Sequence, residues 1–513
     1  MLTHPSVDAV WLQSARTGLA GLLLTLAASA CAASPGPLEG AGPEIAPGPV
    51  AAQQADPWAI AAPPPAGYDR AAGAAATRSH LEGLVALDTR NPPGNELLTA
   101  EYLAGVLQGR PGMAVTIVDV GDGRANLVAR LRAAHPTARP VVVMGHMDVV
   151  GVVDENWHTP PLTVTEVDGY LHGRGVMDDK GMLAATATAM VWLSEHARDR
   201  LTRDIILLAT AAEEGGPDIG VGRIVAQHRE LLGDAEFALN EGGRIRVIDG
   251  AIATLNIQTT EKVAYNVEVT ARGPSGHGSV PLPDNAPAAL ARAVARLHDW
   301  RAPARLNETT RIYFARLAEI EADPALAAAM RDLGSDDPAV FAAAVDVLDD
   351  EPTHNAVLRA GASLTMLDAG FRSNVIPGDA SANFNLRVLP DDDVTALVAQ
   401  MQAVAAEAQV QVALKGEPRH APRPSPVDGA LFAAMADAAS VMAPGISVIP
   451  FMSTGATDGA ALRAAGIPTY GVLPFPMEQA DELRMHGDNE RIPVAAVGWA
   501  TEFILRTLLN VAG

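Results

Sequence analysis

Three short apolar runs, at residues 141–144, 205–210 and 237–239, show no polar alternation, and each breaks off into histidine or acid. Uninterrupted apolar runs of this length predict strands covered on both faces, as in a parallel sheet. Weaker runs at 115–118 and 126–131 predict two more strands, and helical patterns cover 71–87, 95–107 and 182–196. Alternation of strand and helix predicts an α/β domain with a largely parallel central sheet and flanking helices. Near Lys262 the pattern changes. Residues 263–270 alternate apolar and polar, as a strand with one wet face should, and 362–367, 380–388 and 410–414 read as further strands. Helices are predicted at 286–300 and 393–406, with an acidic, alanine-rich helical insertion at 323–350. Strands with two helices on one side predict a small α+β domain over 262–418, inserted into the larger one. The first pattern resumes with helices at 431–441 and 460–465 and a strand at 468–473, so the larger domain takes 67–261 and 419–513.

The start of the chain follows neither pattern. Arg16 precedes the apolar run 19–28, which is too short for a spanning helix and is followed by small residues, so 1–31 reads as an export signal. The single cysteine, Cys31, follows Ala28-Ser29-Ala30 and has no partner for an internal disulfide. Its place suggests a lipid anchor at Cys31, with ordinary cleavage near Ala30 as the alternative. Residues 32–66 are rich in Pro, Ala and Gly and read as a tether. The expected location is therefore outside the cytoplasm, periplasmic or membrane-anchored by lipid. A formal charge of −23 and a pI near 4.9 argue against nucleic acid or an anionic membrane surface as a partner.

Open parallel sheets bind ligands beyond the carboxyl ends of their strands. His146, Asp148, Glu213, Glu214 and Glu241 all follow such ends, so they converge on one crevice, as a metal site would require. Taken singly, each has a plainer explanation. A lone His or Asp after a strand commonly caps a helix or makes a turn, and Glu213-Glu214 alone reads as a solvated loop. Asp178 or Asp179, after Gly173-Arg174-Gly175-Val176-Met177, could equally cap the helix that follows.

Together, His146-Met147-Asp148, Trp157, Asp168-Gly169, Gly173 to Gly181, Glu213-Glu214-Gly215, Asn240-Glu241-Gly242-Gly243 and His486 resemble the dinuclear zinc peptidase family of aminoacylase, carboxypeptidase S, glutamate carboxypeptidase and succinyl-diaminopimelate desuccinylase. The resemblance runs from about residue 81 to 509. It implies two zinc ions, with cobalt or manganese as substitutes. His146 and Glu241 would bind one ion and Glu214 and His486 the other. Asp178, the first Asp after the glycines, would bridge them. Asp148 would orient the His146 imidazole from behind, and Glu213 would be the general base. Gly215 and Gly216 would let the chain turn so that the two glutamates divide these tasks.

The resemblance further implies that His277, in Gly273-Pro274-Ser275-Gly276-His277-Gly278, stabilises the oxyanion across a homodimer formed through the inserted domain, although a His between glycines is also an ordinary turn residue. Asn374 and Arg387 would contact a substrate carboxylate, with a surface ion pair as the plain alternative for Arg387. Gly455 and Thr457 lie in a loop resembling the family's pocket lining. The long span between His277 and Asn374 resembles carboxypeptidase S and the secreted N-fatty-acyl-amino-acid hydrolases; its extra helix would either shape an acyl pocket or only lengthen the lid. The expected activity is hydrolysis of an amide bond next to a free α-carboxylate, in small peptides or N-acyl amino acids. The alternative is a non-catalytic ligand-binding lipoprotein on the same fold.

Overall fold

The expected parallel centre forms the middle of an eight-stranded sheet. In spatial order its strands are Ser447–Ser453, Ala251–Glu261, Thr469–Met477, Phe237–Ile248, Val141–His146, Ile205–Thr210, Arg124–Leu131 and Met113–Gly121. The four from Thr469–Met477 to Ile205–Thr210 run parallel. The computed structural model describes residues 58–513 other than 217 and 420, so the export signal, Cys31 and most of the tether lie outside the described residues.

The lack of alternation in the central strands has a direct physical cause. Val141, Val143, Ile205, Leu207 and Ala209 pack on one face of the sheet, in a core shared with helices Arg70–Val85, Lys180–His196, Ala430–Met442 and Val494–Ala512. Val142, Met144, Ile206 and Leu208 pack on the other, against helices Val221–Gln227 and Gly459–Ala464. Both faces are dry, so both parities must be apolar. Each of these valine, leucine, isoleucine and methionine side chains contributes about 1.5–3 kcal/mol by leaving water. Among the described residues, Val494–Ala512 is the one helix long and apolar enough to cross a membrane, and most of it is buried in this core.

The second sheet is antiparallel, ordered Gly361–Ala369, Asp379–Val388, Val263–Arg272 and Val410–Lys415. Helices Ala286–Asp299 and Val394–Ala405 cover one face, capped by Asn285 and Asp393, whose side chains accept backbone N–H groups of the first turn. Its outer strand, Gly361–Ala369, is exposed over most of its length and carries Met366 and Leu367 into solvent.

The acidic insertion belongs to a set of four helices, Glu308–Leu317, Pro324–Asp332, Pro338–Leu348 and Pro352–Leu358. The last three start alike: Asp323, Asp337 or Glu351 accepts first-turn N–H groups, and a proline follows at once. Their apolar faces close over Ile449 and Met452 of the edge strand Ser447–Ser453. The insertion therefore covers an edge of the large sheet as well as extending the smaller domain, and an uncovered edge would be a pairing hazard.

Candidate metal centre

Three central strands deliver the side chains. His146 ends its strand, Glu213 and Glu214 follow Ile205–Thr210, and Glu241 stands within Phe237–Ile248. Asp178 comes from the loop before helix Lys180–His196, and His486 from a loop after Gln479–Glu482. The two oxygens of Asp178 face different imidazoles: Oδ1 lies 2.9 Å from His146 Nε2 and Oδ2 lies 2.9 Å from His486 Nε2. Glu214 Oε1 is 3.0 Å from the same His486 nitrogen. Donor atoms of Asp178, Glu214 and His486 lie within 4.8 Å of one another, as do those of His146, Glu213 and Glu214. Glu241 is buried in the same region but belongs to neither tight group.

The two adjacent aspartates sit differently. Asp178 faces both imidazoles, whereas Asp179 stands at the N-cap position of the helix without a side-chain cap bond. Asp179 is fully buried, with no side-chain partner, and lies against Gly145, where a Cβ would come within 2.5 Å of its Oδ2. The peptide between the two aspartates is cis.

Asp148 does more than stand behind His146. Its backbone carbonyl accepts from His146 Nδ1 at 2.9 Å, while its carboxylate is 3.6 Å from that nitrogen. The carboxylate instead accepts from the backbone N–H groups of Glu213 and Glu214, at 3.1 and 3.2 Å, and from Asn91 Nδ2 at 2.8 Å. It thus holds the turn that separates the two glutamates. That turn begins earlier than the glycines suggest, at Ala212 with φ 61°, a conformation unusual outside glycine, and ends at Gly216 with φ 121°.

Glu490 is the fastening that sequence reasoning missed. Fully buried, it accepts from the N–H groups of Gly175, Met177 and Asp178 and from Arg174 Nη1 at 2.6 Å. Arg174 Nη2 also donates to the carbonyl of Gly487 at 2.7 Å. One buried ion pair therefore ties the Asp178 loop to the His486 loop. Leaving either charge alone there costs about 3–5 kcal/mol.

A divalent metal pair fits this donor set. Burial opposes ionisation of Asp178, but His146 and His486 outweigh it and hold the carboxyl well below its usual range. Burial pushes Glu241 up to about 8, with Asp178 adding repulsion, and holds Glu213 well above the ordinary carboxylate range. His486 rises to about 10 on its bonds to Asp178 and Glu214. So many acids crowded around two imidazoles relieve their repulsion by sharing cations. His146, Asp178, Glu214, Glu241 and His486 are the residues that could hold them.

Glu213 also faces a cavity of about 430 Å³, walled by Lys262, Arg419, Thr457, Asp458 and several alanines. The Thr457 hydroxyl donates to Glu261 at 2.8 Å, and Gly455 N–H donates to Ser453 at 3.1 Å. Half-buried Arg387 sits opposite Ala264, which lines this cavity, and its Nε donates to Asn385 at 2.8 Å. His277 and Asn374 adjoin each other, with Gly278 N–H donating to the Asn374 carbonyl at 2.8 Å. Exposed His277 bonds to Ser279; among the described residues no hydrogen bond or ion pair joins it or Asn374 to His146, Asp178, Glu214, Glu241 or His486.

The profile of peptidase family M20/M25/M40 matches residues 142–510. Human N-fatty-acyl-amino acid synthase/hydrolase PM20D1 is 27% identical over 389 residues, which cover 74% of this chain and 76% of that protein. Mouse aminoacylase-1 is 26% identical over 385 residues, covering 74% of this chain and 82% of that protein. The crystal structure of the M20 family metallo-carboxypeptidase Sso-CP2 from Sulfolobus solfataricus superposes with a TM-score of 0.62 at 17% identity, over 85% of this chain and 98% of that one. With the ligand cluster at the carboxyl ends of a parallel sheet, these matches identify the chain as a member of peptidase family M20/M25/M40, a metallo-hydrolase of amide bonds.

Proposed function

We propose that the chain hydrolyses an amide bond next to a free α-carboxylate, in N-acyl amino acids or small peptides, with Glu213 as general base and two zinc ions in the centre. The observation that carries this reading is the double position of Glu213, which is within reach of the ligand cluster and in the wall of the adjoining cavity. When bound, the metal pair would activate water and polarise the scissile carbonyl. The Glu213 carboxylate would take the proton of the attacking water and pass it to the leaving nitrogen. Asp148, by gripping the Glu213 and Glu214 N–H groups, keeps one glutamate for protons and the other for metal. The alanine wall (Ala456, Ala460, Ala461, Ala464) leaves room for an apolar acyl or side chain.

Arg387 is assigned to the substrate carboxylate. Arg387→Ala is expected to lower kcat/KM for a free acid such as an N-acyl amino acid by about 100-fold, and for its carboxamide by far less, because only the acid forms the charge-assisted pair. Equal losses on both would show that Arg387 is structural and would remove the support for carboxylate recognition.

The same reading includes a homodimer through the inserted domain, supported by its exposed apolar outer strand and by His277, which among the described residues makes no hydrogen bond or ion pair to the proposed ligands of its own chain. Mixing His277→Ala with Glu213→Gln subunits should restore about a quarter of wild-type activity. Half of the freely exchanged dimers are mixed, and each of those has one complete site. No recovery over the parent variants would place His277 outside the partner's site. Export, and lipid attachment at Cys31, belong to this proposal on the strength of the sequence alone, and a mature chain found unlipidated and starting at or beyond Cys31 would refute the anchor.

A further inference from the structure

Beyond the metal centre, the paired strands Phe237–Ile248 and Ala251–Glu261 continue away from the site, with Arg244 opposite Asn256 and Arg246 opposite Thr254. Five residues of extended chain separate Glu241 from Arg246, about 16 Å at 3.3 Å per residue. Ile245, Leu255 and Ile257 turn into the main core. Arg246, Ile248, Thr254 and Asn256 line a cavity of about 280 Å³, closed on its other side by residues of the helical insertion.

A strand face covered by helices would ordinarily be apolar, and this one is polar. Thr254 is 2% exposed and Asn256 6% exposed, yet Thr254 Oγ1 and Asn256 Oδ1 have no hydrogen-bond partner in the protein. Across the cavity, His354 Nδ1 is also without a hydrogen bond, its nearest acid being Glu351 Oε2 at 4.0 Å. Buried polar groups are ordinarily hydrogen-bonded, so three left unpaired around one space mark it as built for an occupant.

We infer that this cavity is a second small-molecule site, for a free α-amino acid with an apolar side chain. The Arg246 guanidinium supplies the carboxylate partner: its Nε and Nη2 pair with Glu482 at 3.2 and 3.1 Å, and Nη1 is left to donate. Glu321 and Glu351 stand in the same lining for the ammonium group, along with the free acceptor of Asn256. Tyr313, Leu317 and Leu326 from the helices, with Ile248 from the strand, form the apolar part. The volume is at the small end for a ligand site and suits one residue, not an extended peptide. No residue is shared with the Glu213 cavity, so this inference stands whether or not the hydrolytic reading does.

Isothermal titration of L-leucine into the full-length protein tests it, alongside Leu326→Trp and Ile248→Trp, each of which fills the cavity with an indole. Leu326 is only partly buried and Ile248 exposed, so both variants should fold, which circular dichroism checks. Saturable binding to wild type, weakened at least about tenfold in both variants, is expected. L-leucinamide and 4-methylpentanoate, each lacking one charge, should bind at least about tenfold more weakly than leucine. The inference is overturned if wild type binds no leucine, which would leave a cavity for water alone. It is overturned equally if either variant binds leucine undiminished, or if either single-charge analogue binds as well as leucine.

Discussion

Replacing Glu213 by glutamine should lower kcat by about 10²- to 10⁴-fold while the bound metal stays in place. Glutamine keeps the shape and removes the proton-accepting carboxylate. The neighbouring residues proposed as ligands, His146, Asp178 and Glu214, are untouched, and Asp148 still grips the turn through backbone N–H groups that the substitution does not alter. The prediction is sharp because Glu213 and Glu214 are both within ligand distance of an imidazole, Glu213 near His146 and Glu214 near His486. Metal analysis and kinetics on the same sample separate their roles. Loss of metal along with activity would mean that Glu213 is a ligand and that the division of labour is wrongly drawn.

Asp178→Asn should have the opposite signature and lose metal first. Asp178 is the residue whose two oxygens meet both imidazoles, where a bridged pair of cations would need an anion facing each side. An amide offers one oxygen and one NH₂, so at least one side of the bridge would present a donor where a cation is to sit. Removing an outer partner of a metal ligand already costs about 10- to 100-fold in affinity or activity, so losing the bridge itself should exceed about 100-fold. Metal content near wild type in Asp178→Asn would contradict the bridging role and direct attention to Asp179.

Much of this centre is legible in the sequence because strands buried on both faces leave a strong one-dimensional signal. The runs at 141–144 and 205–210 end at or just before the carboxyl ends of their strands, so the residues after them meet by topology; the strand that begins at Phe237 runs on to Ile248, and Glu241 lies within it instead of after it. Which of two adjacent aspartates faces the crevice is a different matter, since a loop imposes no period on its side chains. Glu490 and Asn91 escape notice for a related reason. Their work is to accept from Gly175, Met177 and Asp178 or to donate to Asp148, and a distant backbone N–H leaves no mark on the residue that binds it. Strand Ala251–Glu261 goes unpredicted because Asn256, Gln258, Thr259 and Thr260 are polar though buried. The insertion reads as helical from its acidic, alanine-rich composition, but its seat on the edge strand Ser447–Ser453 depends on tertiary packing that periodicity does not encode.

The central claim, a metal-dependent amide hydrolase, is tested most directly by stripping the wild-type protein with a chelator and titrating zinc back while following hydrolysis of an N-acyl amino acid. The account predicts no turnover in the stripped protein and activity that rises to a plateau at about two zinc ions per chain. Full activity without metal, or a zinc-loaded protein that binds such substrates and releases them uncleaved, would contradict it.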